Sequence, residues 1–194
     1  MGSRVPPRRP GELSPEEKAE YDTFSGQLSS GGFNEKIFRW KDENGALIGP
    51  LALFMAYPEL GHRATDLIFS VGSLKGLPND AKETAILVCG GNFQAAYELY
   101  AHENVAEKAG YLSKSQIEWI KENRKPADLN SSCSLAYDVA RRLCSAPGPL
   151  PDDLWQGSVE AFGKEGAIAL VQYTALYAYI SITLNGLDVP VPTN

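Results

Sequence analysis

Apolar residues recur along most of this chain at the three- and four-residue spacing of a helix face. Residues 59–75 are the clearest case, with Leu60, Ala64, Leu67, Ile68 and Val71 in register. Stop and start signals divide the rest into further helices. Ser14-Pro15-Glu16-Glu17 has the form of a capping box with Pro at the first helical position. Pro50 opens a helix, and Pro58 ends it or opens the next. Leu77-Pro78-Asn79-Asp80 begins another, which Gly90-Gly91 is expected to break or kink. A helix from Phe93 to Ala109 stops at Gly110. Ser113 and Gln116 form a second capping box, opening a helix to about Asn123. Ser131 or Ser132 to Leu143, Pro151 to Phe162 and Lys164 to Asn185 complete the series, with Ala146-Pro147-Gly148-Pro149 as a rigid connector.

Strand signals are poor. Ile37 to Trp40 reads as a short strand or extended segment before an Asn44-Gly45 turn, and the Gly/Ser-rich residues 25–34 read as a mobile loop. The pattern predicts an all-α, multi-helix bundle forming a single domain over residues 13–194. Residues 1–12 contain the Pro-rich MGSRVPPRRP and read as a disordered tail.

One helix complicates this picture. Gly166 to Leu187 carries no charge over twenty-two residues, long enough to span a bilayer. Gln172, Thr174, Ser181, Thr183 and Asn185 interrupt it, and no Lys/Arg cluster flanks it. A buried central helix, covered in part by neighbouring subunits, is the expectation, with no membrane partner. The net charge of −6 and the lack of a basic stripe argue against a nucleic-acid partner. The three cysteines, Cys89, Cys133 and Cys144, have no CxxC or zinc-ligand spacing. Cys133 and Cys144 share one helix about 16 Å apart, too far to bridge. An odd count without a bridge pattern points to a reducing, cytoplasmic setting.

Candidate chemistry concentrates between residues 83 and 110. His102 is one of two histidines, and Glu98 stands four residues before it, on the same helix face. A carboxylate that orients and charges an imidazole is a common general acid/base arrangement. Glu83, nineteen residues before His102, begins an apolar run. Burial there raises a carboxyl pKa, which suits a proton donor or shuttle. The lesser alternative is a structural Glu that orients the imidazole or caps a neighbouring turn. Tyr97 and Tyr100 flank Glu98 and can either hydrogen-bond a substrate oxygen or pack. Arg63 and Lys75 are the candidates to hold an anionic substrate group, against a plain surface role for each. His62 reads as structural, and Cys89 as a core thiol. Two Glu and one His can in principle hold a metal, but no H-E-x-x-H pattern is present and none is expected.

The same residues carry a family resemblance. Lys82-Glu83-Thr84-Ala85-Ile86-Leu87, then Tyr97-Glu98-Leu99, His102 and Ala106-Glu107-Lys108-Ala109-Gly110 resemble the core motif of the carboxymuconolactone decarboxylase / AhpD-like superfamily. The likeness extends over most of residues 45–192. It implies an AhpD-like bundle with two pseudo-related helical halves, a homotrimer or homohexamer, and no cofactor. Redox members carry two cysteines three apart; here Ala95 and Glu98 occupy those positions. A thiol–disulfide cycle at that place is therefore missing. The resemblance implies a decarboxylase-like lyase or isomerase acting on a small unsaturated carboxylic acid or lactone. In it His102 serves as acid/base, Glu98 as its orienter and Glu83 as shuttle or substrate contact. An AhpD-like redox protein, or a non-catalytic assembly protein on the same scaffold, are the alternatives.

Overall fold

A computed structural model of the protein describes residues 3–30 and 34–192. It is all-α. Eight helices follow one another among the described residues: α1 (Pro15–Ser30), α2 (Pro50–Ala56), α3 (Pro58–Gly72), α4 (Asn79–Phe93), α5 (Ala96–Lys108), α6 (Lys114–Lys121), α7 (Ser131–Ser145) and α8 (Asp152–Gly186). The start signals act as their chemistry requires. Ser14 Oγ accepts from Glu17 N, and Glu17 Oε2 accepts from Ser14 N at 2.8 Å. The Ser113–Gln116 box closes in the same reciprocal way. Gly110 takes φ +70° just after α5, a conformation that suits a residue without Cβ.

α4 is the axis of the molecule. From Ala81 to Gly91 nearly every residue is buried, because α5, α6, α7 and α8 all pack around it. A helix covered on all sides has no polar stripe, as α4's sequence shows. Gly90 and Gly91 do not break it. They let neighbours approach: a Cβ on Gly90 would lie 2.9 Å from Leu99 Cδ2, and one on Gly91 2.8 Å from the Ile120 carbonyl oxygen. The helix ends three residues later, at Gln94, which adopts φ 52° and donates from its side chain to the Gly91 carbonyl at 2.6 Å. The break in α8 is of the other kind. Gly163 has φ 70° and ψ 169°, so the expected division between residues 162 and 164 is real.

Two other expectations change. Residues 25–30 are helical rather than looped; the rest of that stretch that is described resumes at Asn34. Phe24 and Leu28, one turn apart and almost wholly buried, hold this end of α1 against the core. Each contributes about 1.5–3 kcal/mol on burial, enough to outweigh the weak helix propensity of Ser and Gly. Residues 37–40 form no strand. Among the described residues nearby, the only pairing is an isolated bridge between Lys41 and Leu47 across the turn at Asp42–Gly45. Within the Pro-rich segment read as a tail, Arg4 donates to the carbonyls of Gly186 and Leu187 at the end of α8, and Arg8 pairs with Glu17.

Apolar side chains gather in two clusters. The larger joins α4 to α7 and α8 through Ile86, Val88, Val139, Leu170 and Leu184. The smaller joins α1 to α2 and the Trp40 segment through Phe24, Leu28, Trp40, Leu51 and Phe54. α8 is long and apolar enough to cross a membrane by length and composition. Here it lies against α4 and α7.

Candidate active site

The seam between the two clusters is not filled. A cavity of about 200 Å³ lies there. Trp40, Leu51 and Phe54 come from the smaller cluster, and Tyr97, Ala101 and Ile180 from the larger. Glu98 and His102 open onto it from α5, and Tyr177 from α8. A cavity whose walls belong to two independently packed cores can stay open without exposing either.

Helix geometry brings the titratable groups together in two ways. Glu98 and His102 meet because four residues of α5 make one turn; Nε2 lies 3.2 Å from Glu98 Oε1. Glu83 meets them because α4 packs on α5, which sets its Oε2 2.8 Å from Nδ1. One imidazole is thus held between two carboxylates, and all three side chains are largely out of water. The two contacts differ. The Glu83 contact is an aligned hydrogen bond. Glu98 Oε1, although close, is not aligned with Nε2 and has no hydrogen-bond partner, while being fully buried. An unsatisfied buried oxygen on a cavity wall costs about 1–3 kcal/mol, unless something that enters the cavity bonds to it.

The surroundings push the two cavity-facing groups in one direction. Burial opposes charge on His102, but the Glu83 charge, its hydrogen bond and the Glu98 charge outweigh this and raise the imidazole pKa to about 9. Burial raises the Glu98 carboxyl to about 7, with Glu83 adding to the rise and His102 opposing it. It is therefore Glu98 that has a carboxyl poised near neutral pH. Glu98 lines the cavity, whereas Glu83 lies behind the imidazole and bonds its Nδ1. Tyr177 sets its ring edge-on to the imidazole, 4.9 Å between centroids, with Tyr173 stacked behind it.

The four expected substrate contacts fare differently. Tyr97 lines the cavity with its ring, but its hydroxyl donates to the Arg39 carbonyl at 2.9 Å. Tyr100 lies outside the wall and accepts from the Arg39 amide at 3.0 Å. The two tyrosine hydroxyls thus clamp the Arg39 peptide. Glycine at position 49 permits this, since a Cβ there would stand 2.3 Å from the Tyr97 ring. Arg63 is exposed on α3 and Lys75 is exposed in the loop before α4; neither lines the cavity. His62 lies away from the cavity, where it bonds Glu20 at 2.7 Å and stacks on Phe24. Sequence reasoning missed Trp40, Phe54 and Tyr177. Of these only Tyr177 had a signal, the Tyr173/Tyr177 pair one turn apart in an otherwise apolar helix.

A wider cleft of about 290 Å³ lies between the Arg39–Glu43 turn and the C-terminal Val189–Pro192 segment. None of the three converging groups lines it. Among the described residues no cluster of three His, Cys, Asp or Glu side chains is placed to hold a metal ion. The cavity wall contains no cysteine.

No family model matches the sequence, and no curated protein matches it. Solved structures do match the fold. A cysteine-to-alanine variant of the debrominase Bmp8, in complex with 2,3,4-tribromopyrrole, superimposes with a TM-score of 0.71 over 100% of this chain and 94% of its own, at 14% identity. The apo form of Bmp8 gives a TM-score of 0.69 over 93% and 90%, at 14% identity. The chain therefore has the helical fold of that debrominase.

Proposed function

We propose that this protein is a small-molecule-modifying enzyme of the carboxymuconolactone decarboxylase / AhpD-like superfamily. Its chemistry is cofactor-independent proton transfer on a small unsaturated ring or lactone. The observation that carries this reading is the fixed, cavity-facing pair of Glu98 and His102, backed by Glu83. The motif residues that carry the family resemblance are the same ones that converge, and the fold shared with Bmp8 is consistent with it. That the Bmp8 structure holds tribromopyrrole supports a small flat ring as the kind of molecule such a cavity admits. Debromination itself is not proposed, because no thiol faces the cavity.

The chemistry follows from the protonation states. Near pH 8 Glu98 is mostly carboxylate and His102 mostly imidazolium. Glu98 removes a proton from the carbon next to a carbonyl. The carbonyl oxygen becomes a dienolate oxygen, and the Nε2–H of His102 donates to it. Glu83 holds that imidazole in place through Nδ1 and balances its charge. Glu98, now protonated, returns the proton to the far end of the dienolate. The double bond has moved and the enzyme is restored. General acid/base steps of this kind contribute about 10²–10⁴-fold each. Proton relocation is favoured over decarboxylation because His102 is the only basic side chain on the wall, facing two carboxylates. A substrate carboxylate would enter that field at a cost.

Hydrogen exchange tests this reading. The protein is incubated in D2O with a panel of butenolides and cyclic enones, followed by NMR. Deuterium should enter the α or γ carbon of at least one, and His102→Ala should slow this by about 10²–10⁴-fold. Exchange no faster than in buffer across the panel, or exchange indifferent to His102→Ala and Glu98→Gln, contradicts it and favours a binding or assembly protein.

A further inference from the structure

The acid/base site leaves a second pair of reactive groups unused. Cys89 lies in α4 and Cys144 in the last turn of α7, fifty-five residues apart in sequence. The packing of α4 on α7 sets their sulfurs 3.5 Å apart. A disulfide needs about 2.05 Å, so the sulfurs have about 1.5 Å left to close. Asn92 of α4 donates to the Cys144 carbonyl at 3.3 Å, which fastens the two helices at this point.

The two sulfurs are not equivalent. Cys89 is fully buried, whereas Cys144 is partly exposed at the surface. The hydrogen bond with Cys144 and burial push the Cys89 thiol up. The hydrogen bond from Cys89 lowers Cys144, and the charge of Arg141 helps against its partial burial. Arg141 is held in place by the side-chain oxygens of Asn92 and Asn123, at 2.7 and 2.9 Å. An accessible sulfur with a stabilised thiolate, backed by a buried partner, is the arrangement of an attacking and a resolving thiol. Cys133, eleven residues earlier on α7, is about 16 Å of helix away.

We propose that Cys89 and Cys144 are a reversible dithiol–disulfide pair, oxidised by a low-molecular-weight disulfide. The Cys144 thiolate attacks one sulfur of the disulfide RSSR. A mixed disulfide forms, and the first RS⁻ leaves and takes up a proton. Cys89 then loses its proton and attacks the Cys144 sulfur. The intramolecular S–S bond forms, and the second RS⁻ leaves with that proton as RSH. Two protein thiols become one disulfide, and RSSR becomes two RSH. The bond joins α4, which carries Glu83, to α7. Neither sulfur lines the cavity, so the pair stands or falls independently of the proton-transfer reading.

The test is equilibration of the native protein in glutathione buffers of increasing disulfide content, followed by acid quenching and mass spectrometry. The wild type should lose the mass of two hydrogens without retaining glutathione, and digestion should give a linked Cys89–Cys144 peptide. Cys89→Ser, or Cys89→Ala if the serine is not tolerated, should retain one glutathione on Cys144. Cys133→Ser should behave as wild type. Stable glutathione on wild-type Cys144, free Cys89 and Cys144 in fully oxidised buffer, or a link through Cys133 or between two chains would each overturn the proposal.

Discussion

Two carboxylates share one imidazole, and the contrast between their contacts sets the pH behaviour. Glu98 must be ionised to take a proton, and His102 must be protonated to meet the oxyanion. The account therefore predicts a bell-shaped kcat/KM, rising through about 7 and falling through about 9. Glu98→Gln should remove the rising limb together with most of the rate. Glu83→Gln should move the falling limb to lower pH, because the largest influence holding the proton on His102 is lost. The same shifts bear on stability. Both groups have a higher pKa folded than unfolded, so the native state binds more protons. The stabilisation from Glu98 is complete below about 4.5 and lost as pH rises through about 7; that from His102 is complete below about 6.5 and lost through about 9. Chemical denaturation should show the protein weakening from pH 5 to pH 9 by an amount on the order of a few kcal/mol, and Glu98→Gln should flatten the lower half of that decline. The trio was legible in the sequence because a four-residue spacing is local and His102 has few rivals. Which glutamate bonds Nδ1 and which faces the cavity was not, since that depends on where α4 lands on α5. The contact between Cys89 and Cys144 was hidden for the same reason.

At the level of helices, local signals with local causes were readable. The Ser14 and Ser113 boxes, Pro50, Pro58, Gly110 and the division at Gly163 each depend on a few neighbouring residues. Gly90-Gly91 and residues 25–30 were misread because tertiary packing overrides propensity there. Glycine in α4 answers to what passes beside it, and the Ser/Gly-rich end of α1 is held by Phe24 and Leu28. This distinction makes a quantitative prediction. At Gly90 a new Cβ meets the end of the flexible Leu99 side chain, whereas at Gly91 it meets the backbone of Ile120 and Lys121. Gly91→Ala should therefore destabilise by about 1–3 kcal/mol as an overpacked site, and Gly90→Ala by less. Urea denaturation of the two variants measures the order directly; an equal or inverted cost would mean that α6 yields more readily than the α4–α5 contact.

Across the whole molecule, the cavity exists because two apolar clusters meet without merging. The same scale shows large apolar side chains on α3 and α8 that the single chain leaves uncovered. Leu60 and Leu67 on α3 are nearly half exposed, and Ile168, Tyr179 and Ile182 on α8 recur on one side of that helix at 40%, 42% and 57% exposure. We propose that these side chains are covered in a symmetric homo-oligomer, a trimer or hexamer as the family resemblance implies. Light scattering at micromolar concentration should return a multiple of the 21.1 kDa chain mass, and Ile182→Glu should shift it towards monomer. A stable wild-type monomer would refute the assembly and leave the cavity argument untouched. Proton transfer in the cavity depends on the charge state of the pocket, which is measurable without knowing the substrate. With His62 replaced by Gln, His102 is the only histidine, and its ring nitrogens can be followed by ¹⁵N NMR across the pH range. The account predicts a pKa of about 9 that drops when Glu83 is changed to Gln, with a second inflection near 7 that disappears in Glu98→Gln. A His102 pKa near the free value of about 6.5, unmoved by either substitution, would contradict it.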